Sequence, residues 1–244
     1  MQLKSSLLTS LSAFLVAACA VSAPTAVYAD TIAWANWTSG VSGNPGSASG
    51  TLAGGLTVSY SGQTSGLTTE PSWTPASSFS GGTVGNAPPN TASIALEGGT
   101  TPGVPPLMES ITFSSPVVNP VFAIWSLGSS NGSIPATFDF LSKSPQDFTL
   151  EGGGPSTEFG GSSISVNGQV VSGLEGNGVI QFDGTFSSIT FDTPDFENFY
   201  AFTVGYDQTL TPTPGVPEPA TLSLFGLGLA ALPLARKFML RRRS

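Results

Sequence analysis

The sequence predicts an all-β protein whose body, residues 30–206, is a single β-sandwich or jelly-roll-like domain. Three observations carry this. Short apolar strings alternate with Gly, Ser, Pro and Asn clusters, with turn signals about every 8 to 12 residues. No useful length of the body has helical periodicity. Residues 30–219 hold 13 Phe, 4 Trp and 3 Tyr, enough to build a core, so the chain is read as folded despite its charge.

Taken in order, 50–53 and 56–60 flank Gly54-Gly55 and predict a hairpin, with Leu56, Val58 and Tyr60 on one face. Residues 62–110 are poor in apolar strings and predict long surface loops with one edge strand, anchored by Trp73 and Phe79. Regular structure resumes at 111–113. The run 121–127, VFAIWSL, reads as a strand buried on both faces, and 136–141 and 148–150 as shorter strands. Asn167-Gly168, between 164–166 and 169–171, predicts a type I′ hairpin. Asp183-Gly184 predicts another between 179–182 and 185–191. In the last strand Tyr200, Phe202, Val204 and Tyr206 alternate with small residues. No strict internal repeat is present, which argues against a solenoid.

Both ends differ from the body. Residues 1–29 carry Lys4, an apolar run over 7–20 and the cleavage-site pattern Val27-Tyr28-Ala29, the form of a secretory signal peptide for the general secretory machinery. Within it, Leu15 to Cys19 resembles a lipobox, so a lipoprotein anchored through Cys19 is the alternative to cleavage after Ala29. Cys19 is the chain's sole cysteine; cleavage after Ala29 leaves neither disulfide nor thiol chemistry. Four prolines from 207 to 219 deny that stretch a ladder or a helix, so 207–216 reads as a Pro/Thr linker. The apolar run 220–235 makes a helix of roughly 24 Å, short against about 30 Å of hydrocarbon. Spanning then needs Arg236 and Lys237 to snorkel, while Arg241, Arg242 and Arg243 hold the C-terminus in the cytoplasm.

The order of Pro217-Glu218-Pro219, an apolar helix and a terminal basic cluster resembles the PEP-CTERM sorting tail over residues 217–244. The same tail also goes by the name "ice-binding protein C-terminal domain", which describes the sorting segment and implies no ice binding. The resemblance implies recognition and removal of the tail by exosortase, a membrane cysteine protease-transpeptidase, in Gram-negative bacteria that make exopolysaccharide and biofilm. The body is also similar, more loosely, to β-sandwich domains found ahead of such tails, through "GTLAGGLTVSYSG" and "GVIQFDGTFSSITFDTPDFENFYAFTVGYD". The alternative for the tail is a generic C-terminal anchor in which Pro217-Glu218-Pro219 is only linker.

Charge and composition restrict the chemistry. Between residues 30 and 219 one lysine, Lys143, stands against fifteen carboxylates, a net charge of −14. Such a body repels nucleic acid and anionic lipid. With no histidine, Ser-His-Asp and Cys-His catalysis and His-ligated zinc are impossible. Lys143, between Ser142 and Ser144, reads as a solvated loop lysine. Asp139, Glu151, Glu175 and Asp183 are candidate carboxylates for glycoside hydrolysis, but acidic residues are expected all over such a surface. Asp192, Asp195, Glu197 and Asn198 crowd one loop and offer oxygen ligands of the kind Ca²⁺ takes, without EF-hand or RTX spacing; the bland reading is a solvated turn. Glu175-Gly-Asn-Gly offers a second such loop. Trp34 and Trp37 are candidates for stacking on sugar rings, whereas Trp125 reads as core.

The expectation is therefore a non-enzymatic, exported surface or extracellular protein. It is held transiently in the inner membrane, then processed, with a structural or adhesive role among exopolysaccharide. A carbohydrate-binding module and a carboxylate-dependent polysaccharide hydrolase are the alternatives.

Overall fold

The computed structural model describes residues 29–99, 108–129, 133–141 and 148–210. Residues 1–28 of the expected signal peptide with Cys19, Lys143, residues 211–216 of the expected linker and the expected sorting tail at 217–244 lie outside the described residues.

The body is β-structure throughout, with two three-residue 3₁₀ turns as the sole helical elements among the described residues. The first strands are β1 (Ile32–Trp34), β2 (Asn36–Val41), β3 (Gly43–Thr51), β4 (Thr57–Thr64), β5 (Gly66–Thr68) and β6 (Ser93–Leu96). They are followed by β7 (Glu109–Val118), β8 (Val121–Leu127), β9 (Ala136–Asp139), β10 (Phe148–Gly153) and β11 (Ser162–Ser163). The last are β12 (Ser165–Asn167), β13 (Val170–Gly173), β14 (Gly176–Phe182), β15 (Thr185–Phe191) and β16 (Tyr200–Asp207). One sheet runs β10-β14-β8-β16-β6-β5, with β1 and β11 attached to β16 and β14. A second runs β15-β7-β4-β3-β2, and a small third β12-β13-β9. Strand pairing is antiparallel except for the two-residue contact of β11 with β14.

Period-two alternation sorts side chains between two cores. From the first sheet Phe122, Ile124, Ile180, Phe182, Phe202 and Val204 meet Val58, Tyr60, Ile111, Phe113, Ile189 and Phe191 of the second. The two large sheets thus bury their facing sides against one another. Aromatic rings dominate the seam: Phe122 stacks on Phe202 at 5.1 Å, and Tyr60 meets Phe202 edge-on at 5.7 Å. Phe138 and Val171 add the small sheet to this core.

A second core lies on the outer side of the first sheet, where Val121, Ala123, Trp125, Val179 and Ala201 meet Trp73, Phe79 and Val84. β8, β14 and β16 are in consequence buried along their whole length, as the continuous apolar run 121–127 predicts. The stretch between β5 and β6 is therefore not a free surface loop. Trp73 and Phe79, in edge-on contact at 5.1 Å, fix it over the sheet.

Two turns differ from expectation. The β12–β13 pair is formed, but Asn167 pairs with Val170, and Gly168-Gln169 make the turn. Gly168 alone has positive φ, at 62°, the type II′ pattern rather than I′. Asp183-Gly184 joins no hairpin: β14 pairs with β8 and β10, β15 with β7, and the dipeptide carries the chain from one large sheet to the other.

Candidate functional site

At one end of the layers a groove of about 940 Å³ opens between five chain segments. Asn44 comes from the start of β3 and Gln63 from the end of β4. Glu97, Gly98 and Gly99 follow β6, Ile134 and Pro135 precede β9, and Pro194, Asp195 and Phe196 lie between β15 and β16.

The segments after β6 and β15 brace each other. Gly98 and Gly99 hold φ near 60°, and a Cβ on Gly98 would sit 2.4 Å from both the Asp195 carbonyl and Tyr200 Oη. The Gly99 N–H donates to the Thr193 carbonyl at 2.6 Å, and the Glu197 N–H to the Glu97 carbonyl at 2.7 Å. Gln63 Oε1 accepts from the Glu97 and Gly98 amides at 3.3 and 3.2 Å. Asp195 Oδ2 accepts from Thr137 Oγ1 at 2.6 Å. Two apolar side chains stand open on the walls: Phe196 is 59% exposed and Ile134 40%.

Behind the groove lies a buried polar cluster. Glu109 is fully enclosed; Thr193 Oγ1 donates to its Oε1 at 2.5 Å, and Tyr60 Oη sits beside its Oε2. Tyr60 Oη also reaches the Gln63 carbonyl. A tyrosine has one hydroxyl proton, so both contacts form together only if Glu109 is protonated and donates to Tyr60, which then donates to Gln63. Burial pushes the Glu109 carboxyl up to about 7, hydrogen bonds from Thr193 and Tyr60 oppose the rise, and the Asp192 charge adds to it. Burial likewise drives the Tyr60 and Tyr200 phenols well above their ordinary range. Glu197 is also raised to about 7, chiefly by burial.

The residues singled out from sequence fall in different places. Trp34 and Trp37 are 9% and 3% exposed, and their indole N–H groups donate to the Asn86 carbonyl at 3.2 Å and to Thr203 Oγ1 at 3.1 Å. Both rings belong to the cores and present no open face for a sugar. Trp125 is core as well, with its Nε1 donating to Glu158 at 3.1 Å.

The acidic loop does not converge on one point. Asp192 pairs through its backbone with Asp139, Asp195 turns to Thr137 at the groove, Glu197 is buried with its Oε1 accepting from the Phe199 amide, and Asn198 is exposed. Among the described residues no group of three or more His, Cys, Asp or Glu is arranged to hold a metal ion. Glu151 accepts from the Thr83 amide and hydroxyl at 2.7 and 3.0 Å, and Glu175 from Ser126 Oγ at 2.6 Å, so both serve as structural acceptors.

Sequence reasoning misses Phe196, Ile134, Gln63, Glu97 and Glu109. A signal for Phe196 is present: it is an aromatic amid carboxylates, in a segment without the alternation that would bury it.

Pro217, Glu218, Pro219, Arg236, Lys237 and Arg241 to Arg243 lie outside the described residues. The model of the PEP-CTERM protein-sorting motif matches residues 215–243. No curated protein and no solved structure matches the chain. The matched stretch spans the Pro-Glu-Pro triplet, the apolar run and the basic cluster together, so the chain carries a PEP-CTERM sorting motif, a tail that indicates an exported protein, transiently anchored in the membrane and processed by exosortase.

Proposed function

We propose that the chain delivers one β-sandwich domain to the cell surface or extracellular matrix, where it has a structural or adhesive role among exopolysaccharide. The sorting motif at 215–243 carries the reading. The body's character supports it: every Lys and Arg of the chain lies outside the described residues, so this surface repels nucleic acid and anionic lipid once clear of the membrane. Its stability rests on aromatic packing between sheets, which needs no disulfide. The engagement of Glu151 and Glu175 as structural acceptors favours a non-enzymatic role. On this reading the N-terminal segment is removed after Ala29, and the basic cluster stays cytoplasmic until the tail is cut.

Expression in the host of the wild type, Glu218→Ala and a deletion of 215–243, followed by fractionation, tests the proposal. The wild-type body is expected in the matrix fraction without its tail, and Glu218→Ala in the membrane with its tail. The deletion is expected in neither the membrane nor the processed pool. A Glu218→Ala protein processed and matrix-bound like the wild type overturns it, as does a wild type that stays in the membrane.

A further inference from the structure

The end groove has two kinds of lining. Phe196, Ile134, Pro135 and Pro194 form open apolar walls, and Glu97 and Asp195 bring carboxylates. Asp195 keeps one oxygen beyond the bond from Thr137. The described residues include no Lys, Arg or His, so neither carboxylate has a counter-charge on any described element. The apolar walls call for a ligand with a flat C–H face, and the unpaired carboxylates call for a cation with hydrogen-bond donors. An ammonium over the Phe196 ring gains from the ring as well as from the acids.

We propose that this groove binds a glycan bearing protonated amines, a chain of hexosamine units. The pyranose C–H face lies on Phe196, an ammonium meets Glu97 and Asp195, and ring hydroxyls meet the Asn44 and Gln63 side chains. About 940 Å³ is at the upper end of the ~300–1,000 Å³ usual for small-ligand sites, so an oligosaccharide fits better than a single ring. A neutral glycan satisfies the walls but leaves the carboxylates uncompensated, and a uronate is repelled by them. Glu97, Gly98 and Gly99 are held by Gln63 and by the 193–197 segment, so the site is largely pre-formed and loses little to ordering on binding. The inference rests on the proposed matrix role and names its ligand class.

Calorimetric titration of the full-length chain in detergent, at pH 6 and low salt, tests it with four probes: glucosamine hexasaccharide, its fully N-acetylated counterpart, a galacturonate hexamer and hexalysine. The expected result is at least about tenfold tighter binding of the glucosamine oligomer than of each other probe, equivalent to about 1.4 kcal/mol. Added salt should weaken it. Glu97→Gln, Asp195→Asn and Phe196→Ala should each weaken it several-fold without moving the melting temperature, since all three residues line the groove, none is buried, and the amide oxygen that Asp195→Asn leaves can still accept from Thr137. Equal affinity for the acetylated oligomer or for hexalysine, no glucosamine binding, or indifference to all three substitutions overturns the assignment. If binding fails while the exported body still co-purifies with the matrix, the groove assignment falls and the matrix role stands. Intact binding by a body that is shed to the medium does the reverse.

Discussion

Glu109 should make this protein less stable as pH rises from acid to neutral, the opposite of the usual behaviour of a carboxylate-rich protein. Its folded carboxyl holds a proton up to about pH 7, whereas the unfolded chain releases it near 4.5. Below pH 4.5 both states are protonated and the stabilisation is complete. Between 4.5 and 7 the unfolded state loses its proton first, so stability falls by up to about 1.4 kcal/mol per pH unit. Above 7 the loss is complete, at about 3 kcal/mol for this one group. For a body of this size that corresponds to a melting temperature lower by about 6–12 °C at pH 8 than at pH 4.5. Glu197 and Asp192, both raised chiefly by burial, act in the same direction. Glu158 acts against them: although burial raises it, hydrogen bonds from Ser72 and Trp125 hold it below the ordinary value. Glu109→Gln isolates the effect. The amide can donate to Tyr60 and accept from Thr193, preserving the cluster without a titrating proton. Tryptophan-fluorescence melts of both proteins at pH 5, 6, 7 and 8 should show near-equal stability at pH 5 and the variant more stable at pH 8 by about 2–3 kcal/mol. A wild type that gains stability from pH 5 to 8, or a variant equally weakened at every pH, refutes the reasoning.

Three other substitutions have defined outcomes. Phe122→Ala empties the centre of the inter-sheet core, where Phe122 touches four other rings, and should cost about 3–5 kcal/mol in urea unfolding with an unchanged m-value. Gly62→Ala puts a Cβ 2.6 Å from Tyr60 Oη and 2.7 Å from Glu109 Cγ; a loss of about 1–3 kcal/mol is expected, smaller in a Glu109→Ala background measured by the same melts. Gly98→Ala must adopt positive φ and displace Tyr200 or the Asp195 carbonyl, so it should lower the melting temperature and abolish glycan titration together.

The strands were legible wherever a local rule sufficed. Alternation from Tyr200 to Tyr206 sets one face of β16 in the inter-sheet core, and the unbroken run VFAIWSL announces burial on both faces. The partnering was not legible, because it is non-local. After β4 the chain passes to the first sheet, returns for β7, leaves again for β8 and comes back once more for β15. Asp183-Gly184 shows the limit of the local rule: a turn dipeptide between two strands fixes a reversal but not which sheet receives the second strand. Here Asn119 Oδ1 accepts from the Gly184 amide at 2.8 Å, holding the crossing against the β7–β8 turn, 65 residues away in sequence.

The groove illustrates the same limit for function. The sequence concentrates attention on Asp192, Asp195, Glu197 and Asn198 because they are neighbours in the chain, yet in an extended segment successive side chains diverge. Only Asp195 of the four reaches the groove. Its companions there, from Asn44 to Pro194, are set by sheet register and by two glycines whose left-handed backbone lets the 97–99 segment lie against 193–197. Trp34 and Trp37 fail for a related reason. A Trp among Asn and Thr looks exposed in one dimension, but β1 pairs with β16, and β2 follows it directly into the second sheet, so both rings are drawn into the cores. In a body without histidine, or any cation among its described residues, a ligand site must be assembled from acceptors and apolar walls. Those are the residue types that carry the least pattern in a sequence, and topology alone brings them together.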